Sequence, residues 1–262
     1  MGRWRRLWRR RRIFRRGRVL WRRRRIGGMV MAGLAKAGKP ALSEADHLRV
    51  SEAVHAAEAG TSGEIVTIIA DHSDRYLDVA LWWAAVATMV ALAIVAAFPA
   101  FYGHLIGLFS NGWVTEVNFA DGLRFALAVA VVTFAAVRLA LQWVPLRVAL
   151  TPGSVKAGRV RRRAIRYFKA GAERRTTGRT GILIYLSLSE RRAEIVADEA
   201  IHALVSDDKW GEAMVDMIAP VREGRVADGM IAAIRDVGAI LSAQFPRADD
   251  DRNELPDRLI EL

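Results

Sequence analysis

The sequence predicts an α/β protein in which a pair of membrane-spanning helices interrupts a small folded domain. Three observations support this fold class. Residues 79–101 and 125–146 form two long apolar runs, the run EIVTIIA at 64–70 has the composition of a buried strand, and residues 182–197 have the pattern of a β-hairpin. Amphipathic helical stretches precede the first strand and follow the hairpin. We therefore expect a small sheet flanked by helices.

The two apolar runs are long enough to cross a bilayer, whose hydrocarbon core requires about 20 apolar residues. Residues 79–101 contain no ionisable side chain. Backbone polar groups must be paired internally in lipid, so each run should be helical. We interpret residues 79–146 as a transmembrane hairpin. The alternative, two core helices of a soluble protein, conflicts with so long an uncharged run.

Basic residues predict the orientation of the hairpin. The loop at 102–124 contains one arginine, at its last position, whereas the sequence after the second run is rich in arginine. Since basic flanks stay in the cytoplasm, we expect a multi-pass protein of the bacterial cytoplasmic (inner) membrane with both termini cytoplasmic. Residues expected to contact anionic lipids are Arg159, Arg161, Arg162, Arg163 and Arg166.

One arginine, Arg138, lies within the second apolar run. An intramembrane charge is by default a candidate for function. Its position, eight residues before Leu146, also allows the side chain to reach the lipid phosphates at the inner surface. Both interpretations remain open from the sequence.

Net charge is concentrated in the first residues of the chain. Residues 1–30 contain 14 of the 40 basic residues and no acidic residue, which leaves 26 basic residues against 28 acidic ones elsewhere. We expect residues 1–40 to be an arginine-rich segment and linker, disordered or lying on an anionic membrane surface. Translation from Met29 or Met31 is an alternative, and nucleic-acid binding ranks last. The absence of cysteine excludes disulfides and thiolate chemistry.

The remaining elements follow in order. Residues 41–78 are the first part of the domain, with a helix capped by Ser43 and Asp46 and then the strand at 64–70. Residues 147–246 are the second part, and residues 247–262 are a polar tail. The predicted elements of the second part are a helix at 154–172, strands at 182–187 and 193–197, and helices at 199–205, 211–221 and 226–244.

These residues resemble the TPM-domain family. The resemblance rests on TSGEIVTIIA, on RTGILIYLSLSERRAEIVAD, and on the spacing of Trp210, Pro220, Arg222-Glu223-Gly224-Arg225 and Asp228-Gly229. The chain is most similar to bacterial membrane proteins in which the domain is split by two transmembrane helices. The resemblance implies a TPM-like sandwich, with a small mixed sheet between helices.

Some members of that family bind calcium or show weak phosphatase activity, and the resemblance places a candidate ligand or interaction site at Glu64, Arg179, Thr180 and Asp198. The turn that typically reads Asp-Asn-Gly in the family reads Arg179-Thr180-Gly181 here. We therefore expect no resident cofactor, with calcium left open by the resemblance. His47 and His55 lie eight residues apart on the first predicted helix, too far for a joint metal site.

The sequence contains no P-loop, HExxH or GxSxG motif. We therefore expect a non-enzymatic module that binds lipids and a protein partner. The alternative is a weak divalent-metal-dependent phosphatase. The identity of the partner and the oligomeric state are not predicted.

Overall fold

A computed structural model describes residues 42–98, 119–171, 180–247, 255 and 257–262. One four-stranded mixed sheet forms its centre, with the strand order β3-β2-β1-β4. Strand β1 runs parallel to both β2 and β4, and β3 is antiparallel to β2. The strands are β1 (Glu64–Ala70), β2 (Gly181–Ser187), β3 (Arg192–Ala197) and β4 (Ile260–Glu261). The predicted α/β class, a small mixed sheet flanked by helices, is confirmed.

Eight helices are described around this sheet and in the hairpin. They are α1 (Glu44–Glu58), α2 (Leu77–Ala97), α3 (Phe119–Ala140), α4 (Val144–Ala149), α5 (Gly153–Gly171), α6 (Glu199–Leu204), α7 (Asp207–Arg222) and α8 (Val226–Gln244).

The domain has two apolar cores, one on each face of the sheet, because successive residues of a strand point to opposite faces. Ile65, Ile69 and Ile184 pack with α1, α7 and α8. On the other face, Ile68 and Tyr185 pack with α5. The helices are therefore divided unequally, with α5 alone on its face among the described helices.

Helix α1 begins where the sequence predicts. The Ser43 hydroxyl accepts a hydrogen bond from the Asp46 backbone N–H at 3.1 Å, and the Asp46 carboxylate accepts one from the Ser43 N–H at 3.2 Å. These bonds form a capping box and satisfy two amide groups that the helix leaves unpaired. Hydrogen bonds from Ser43 hold the pKa of Asp46 below its usual value.

The apolar hairpin lies between two neighbouring strands of the sheet. Helix α2 starts seven residues after β1, and α3 returns to β2 through α4 and α5. Helices α2 and α3 pack on each other, and the buried residues of α2 include Ala80, Ala84 and Thr88 at four-residue spacing. Both helices are long and apolar enough to cross a membrane.

The second apolar helix lies earlier in the chain than residues 125–146. Helix α3 spans Phe119–Ala140 and is followed by a turn and the short helix α4, which has Pro145 in its first turn. Proline lacks the amide hydrogen and its ring clashes with the preceding helical turn, so the helix could not continue through Pro145. The first helix begins at Leu77, two residues before the predicted start, and Pro99 lies outside the described residues.

The predicted polar tail at 247–262 is also corrected. Leu255 and Leu259 are buried, and Ile260–Glu261 form β4 beside β1. A strand of two residues gives too short a pattern to be recognised by alternation. The available signal in the sequence was the pair Leu255 and Leu259. These leucines lie among acidic and basic residues, which are typical of a solvated segment.

Candidate functional site at the junction of domain and hairpin

The residues that the sequence singles out as a candidate site meet at one end of the sheet. Glu64 begins β1 and is paired in register with Gly181 at the start of β2. Thr180 precedes Gly181, and its carbonyl oxygen accepts a hydrogen bond from the Glu64 N–H at 3.1 Å. Asp198 follows β3, and its N–H donates to the Gly181 carbonyl at 3.0 Å. Arg179 lies outside the described residues.

The three described side chains are buried and bound to the backbone. The Leu255 N–H donates to Glu64 Oε2 at 3.2 Å, and the Gly181 N–H donates to Asp198 Oδ2 at 3.1 Å. Thr180 Oγ1 donates to the Ser62 carbonyl at 2.8 Å. These contacts fix the ends of strands, which is a structural role.

These side chains do not fit a calcium ion, which takes about six to eight oxygen ligands. Glu64 and Asp198 each direct an oxygen to a backbone N–H. Among the residues that the structure describes, no group of three histidine or acidic side chains could hold a metal ion.

A second buried polar cluster lies at the opposite end of the sheet, between β1 and α2. We call it the junction, and it consists of Ser73, Tyr76, Arg159, Tyr185 and Glu190. Glu190, in the turn between β2 and β3, is only 5% exposed. Its Oε1 atom accepts hydrogen bonds from the Ser73 N–H at 2.8 Å and the Tyr76 hydroxyl at 2.9 Å. Its other oxygen accepts one from the Ser187 hydroxyl, and the Ser73 and Tyr185 hydroxyls lie 3.0 Å apart.

Arg159 connects α5 to the start of the hairpin. Its guanidinium lies over the Tyr76 ring, 4.6 Å from the centroid, and pairs with Asp74 at 3.1 Å. It also bonds to Asp78, the second residue of α2. The hydrogen bond to Asp78 raises the pKa of Arg159, which stays charged. These contacts join the first turn of α2 to the domain.

Burial keeps the two tyrosines of the junction protonated. Burial, assisted by the Glu190 carboxylate, raises the pKa of Tyr76 well above the usual phenol value. Burial also raises the pKa of Tyr185 to about 12. Both phenols are therefore neutral at physiological pH. Because the Ser73, Tyr76, Tyr185 and Glu190 side chains are buried and hydrogen-bonded, this arrangement suits mechanical support better than reaction with a dissolved substrate.

The structure separates the five arginines that the sequence assigns to the lipid surface. Arg162 and Arg166 are exposed on α5, whereas Arg161 and Arg163 are half-buried. The Arg163 guanidinium lies 4.8 Å from the centroid of the Tyr167 ring, and Arg159 belongs to the junction. The exposed cations of this set are thus Arg162 and Arg166.

Arg138 lies in the last turn of α3, two residues before its end. At a rise of 1.5 Å per residue, this places it about 3 Å from the helix end, much closer than the predicted helix implied. A cation in the last turn also interacts favourably with the helix dipole. Near the start of α2, the ring N–H of Trp83 donates a hydrogen bond to the Leu150 carbonyl, just after α4, at 3.3 Å.

Sequence reasoning missed the junction because its partners are far apart in the chain. Glu190 is 114 positions from Tyr76 and 117 from Ser73. The available signal was the run of Asp74, Tyr76 and Asp78 at the start of an apolar helix.

Comparisons with known proteins support the resemblance in the second part of the chain. A family model for the TPM domain matches residues 144–240. Residues 144–240 are therefore similar to a TPM domain. No curated protein matches it. The chain is similar to the NMR structure of the BA42 protein from the psychrophilic bacterium Bizionia argentinensis, with 18% identity, a TM-score of 0.48, and 85% of this chain and 96% of that chain covered.

Proposed function

We propose that this chain is an integral protein of the bacterial cytoplasmic membrane, whose TPM domain is tethered by α2 and α3 and binds lipids and a protein partner. The observation that carries the proposal is the uncovered apolar surface of the two helices. Side chains more than half exposed are Leu81, Trp82, Met89, Val90, Ile94 and Phe98 in and directly after α2, and Phe119, Leu123, Leu127, Val131, Val132 and Leu139 in α3.

This exposure argues against two core helices of a soluble protein. In the most apolar 18-residue stretch of α2, only 22% of the residues are buried. In the corresponding stretch of α3, no residue is buried. Soluble monomers rarely expose continuous apolar patches beyond a few hundred Å². A lipid environment covers such a surface without a further protein layer. We therefore favour a membrane hairpin over a buried one.

The pairing of β1 with β2 supports a domain that the hairpin divides. The two strands are in register along all seven residues of β1, from Glu64 to Ala70. Sequence on both sides of α2 and α3 therefore belongs to one sheet, so both parts must lie on the same side of a membrane. The basic residues after α3 favour the cytoplasmic side, with both termini there.

Three exposed tryptophans fit a location at the membrane–water interface. Trp82, Trp83 and Trp143 are 71%, 42% and 66% exposed. Tryptophan is enriched at such interfaces because its ring is apolar and its N–H is polar. With α3 ending at Ala140, Arg138 fits a position near the inner lipid phosphates. We interpret it as an interfacial anchor rather than a charge in the centre of the bilayer.

The proposed mechanism is scaffolding. The junction fixes the sheet to the start of α2, so the domain cannot rotate freely about a flexible link. Arg162 and Arg166 then hold α5 to anionic headgroups. A protein partner would bind a domain that is presented in one orientation.

Labelling of single introduced cysteines tests the proposed topology. The natural chain has no cysteine, so only the introduced one can react. Position 111, for the substitution Asn111→Cys, lies in the sequence between the two apolar helices and outside the described residues. Lys209→Cys lies on the exposed surface of α7. A membrane-impermeant maleimide should label Cys at 111 in intact spheroplasts, and Cys at 209 only after permeabilisation. Labelling in the reverse order, or recovery of the protein without detergent, would overturn the topology.

The phosphatase alternative is tested separately with the purified protein. Hydrolysis of p-nitrophenyl phosphate with added divalent metal, abolished by Glu64→Gln, would contradict the non-enzymatic proposal. Glutamine retains an oxygen that can accept the Leu255 N–H, so this variant should preserve the local structure. We expect the parent protein to hydrolyse p-nitrophenyl phosphate no faster than Glu64→Gln does.

A further inference from the structure

A cleft lies on the surface where α5 meets the first turn of α2, and we call it the junction cleft. Its volume is about 440 Å³, which is within the range of roughly 300–1,000 Å³ that is usual for small-molecule sites. The residues that line the junction cleft are Asp74, Arg75, Leu77, Asp78, Arg159 and Arg162. Since α2 is one of the two helices that we place in the bilayer, this cleft would open at the level of the inner lipid headgroups.

The two aspartates of the junction cleft are already engaged by Arg159. One terminal nitrogen of its guanidinium lies 3.1 Å from Asp74 Oδ2, and the other bonds to Asp78. The second oxygen of Asp74 accepts the Tyr76 N–H at 3.2 Å. The Arg159 side chain is only 10% exposed. The carboxylates are therefore held at a largely buried cation and do not neutralise the other arginines of the cleft.

Those other arginines, Arg75 and Arg162, are both exposed. In the part of the chain that the structure describes, neither of them forms an ion pair. Three arginines against two aspartates give the junction cleft a net charge of +1. A guanidinium group binds phosphate oxygens through two parallel hydrogen bonds. The cleft therefore offers a bound phosphate two cations that no carboxylate of the cleft has taken up.

An apolar track begins at the same cleft and follows α2. Leu77 and Leu81 are 48% and 53% exposed, and residues four positions apart lie on one face of a helix. The track leads from the cleft along a helix that we place in the bilayer. A free phosphate ion or a sugar phosphate has no group for such a surface. A phospholipid has a phosphate and an acyl chain in this spatial order.

The backbone at the cleft is fixed before any ligand binds. Tyr76, between Arg75 and Leu77, has a φ of 52°, in the left-handed region that side chains other than glycine enter at a cost. The Tyr76 side chain is fully buried, and its hydroxyl donates to Glu190 at 2.9 Å. The junction thus holds this turn in place, and a site with fixed positions loses less entropy on binding.

We propose that the junction cleft binds the headgroup of an anionic phospholipid, with the phosphate between Arg75 and Arg162 and an acyl chain along Leu77 and Leu81. This inference rests on the proposed function, because it requires α2 to be in the bilayer. It adds one defined lipid site to the general attraction of α5 for an anionic surface. Arg75 separates the two ideas, since it precedes α2 and is not part of α5.

Brominated lipids test the site with the full chain in nanodiscs. A bimane label on Ala85→Cys lies one turn beyond Leu81 along α2. A label on Val131→Cys, on α3, is the reference, because it lies at a comparable distance from the inner end of its helix. At equal bulk fractions, phosphatidylglycerol with brominated chains should quench the label at 85 more strongly than brominated phosphatidylcholine does. The two lipids should quench the label at 131 equally.

Substitution of the two exposed arginines should remove this preference. Each cation near an anionic surface contributes about fivefold in affinity, so Arg75→Gln should lower the preference about fivefold, and Arg75→Gln with Arg162→Gln more than tenfold. Lys209→Gln with Arg235→Gln, on α7 and α8, removes the same charge and should leave the preference unchanged. Inorganic phosphate, added at constant ionic strength, should not relieve the quenching.

The outcomes separate this inference from the proposed function. Equal quenching by both lipids at position 85 in the parent, or an unchanged preference in Arg75→Gln with Arg162→Gln, would overturn the lipid site. Relief of quenching by inorganic phosphate would assign the cleft to a free anion and contradict the lipid. If the protein enters nanodiscs normally in these cases, only the inference fails. If the parent does not co-elute with nanodiscs at all, the proposed function fails and the lipid site with it.

Discussion

At the scale of single residues, Glu190 connects three parts of the molecule. It lies in a turn of the sheet, yet its partners are the loop after β1 and the residue that caps α2. A buried carboxylate is unfavourable unless its oxygens are hydrogen-bonded. Here the Ser73 amide and the Tyr76 and Ser187 hydroxyls provide these bonds. Glu190 therefore helps, together with Arg159, to fix the start of the hairpin to the sheet.

Glu190→Ala should lower the free energy of unfolding of the domain by roughly 3 kcal/mol, because it leaves buried donors without an acceptor. Guanidinium titration of the protein in detergent, followed by circular dichroism, measures the change. Glu199→Ala, an exposed acid at the start of α6, is the control and should change stability by less than about 0.5 kcal/mol. Equal effects of the two substitutions would show that the junction is not a stabilising centre.

Glu194 should give the domain a measurable pH dependence. It lies on β3 near Arg161 and Arg192, and burial outweighs their attraction and raises its pKa to about 7. The native state therefore retains a proton that the unfolded state loses near pH 4.5, so this contribution to stability is lost as the pH rises to 7. Relative to the parent, Glu194→Gln should gain on the order of 1 kcal/mol between pH 5 and pH 8, allowing for partial exposure. Thermal unfolding at both pH values, with Glu199→Gln as control, checks this, and a constant difference would contradict it.

The side-chain contacts that could be predicted from the sequence are those between residues close together in the chain. Ser43 and Asp46 are three positions apart, so the capping box could be read directly. Glu64, Thr180 and Asp198 were selected by family resemblance and do meet, but the backbone partners that occupy them could not be foreseen. Glu190 was assigned to a turn, because nothing in its neighbourhood indicates that a tyrosine 114 positions away will bind it.

At the scale of elements, α7 and α8 pack without space for a side chain at Gly229. A Cβ atom there would overlap the Met217 carbonyl and the Val221 side chain. Gly158 on α5 has no neighbour within 4 Å of the same position. The two glycines therefore differ in role, although both lie within helices.

Gly229→Ala should destabilise the domain by about 1–3 kcal/mol, since the two helices must separate to admit the methyl group. Gly158→Ala should instead stabilise it by about 0.5–1 kcal/mol, because alanine favours the helix and meets no obstacle. Melting temperatures of the two variants in the same detergent test whether their effects on stability have opposite signs. A loss of stability in both would mean that α5 has a close contact at Gly158 after all.

Element boundaries were predictable where local signals end them. Strand β1 and helix α8 have the bounds that the sequence predicts, 64–70 and 226–244. The end of the second apolar helix was misplaced because hydropathy continues through Pro145, where the backbone cannot remain helical. Strand β4 was missed because its formation depends on the distant edge of β1 rather than on its own two residues.

At the scale of the whole molecule, both faces of the sheet carry exposed cations, but the two faces differ in their relation to the hairpin. The face with α5 carries exposed Arg162 and Arg166, while α7 and α8 on the other face carry exposed Lys209 and Arg235. On the first face, Arg159 of α5 pairs with Asp78 in the first turn of the hairpin. If the membrane is where we propose, charge on the two faces should have different consequences.

Arg162→Glu with Arg166→Glu should weaken contact of the domain with anionic lipid, whereas Lys209→Glu with Arg235→Glu changes the same net charge and should not. Each exposed cation near an anionic surface contributes about 1 kcal/mol. The measurement is energy transfer from a dye on Ser154→Cys to labelled lipid in nanodiscs, with and without phosphatidylglycerol. Equal loss of transfer in both double variants would show that the effect is one of net charge.

The parallel pairing of β1 and β2 has a consequence for biosynthesis. More than a hundred residues separate these neighbouring strands. Ribosomes add about 5–20 residues per second, so β1 waits several seconds for its partner while the intervening residues are synthesised. During that interval the isoleucine-rich strand is a nascent segment without a sheet to join. We expect a ribosome-associated chaperone or the insertion machinery itself to shield it until β2 emerges.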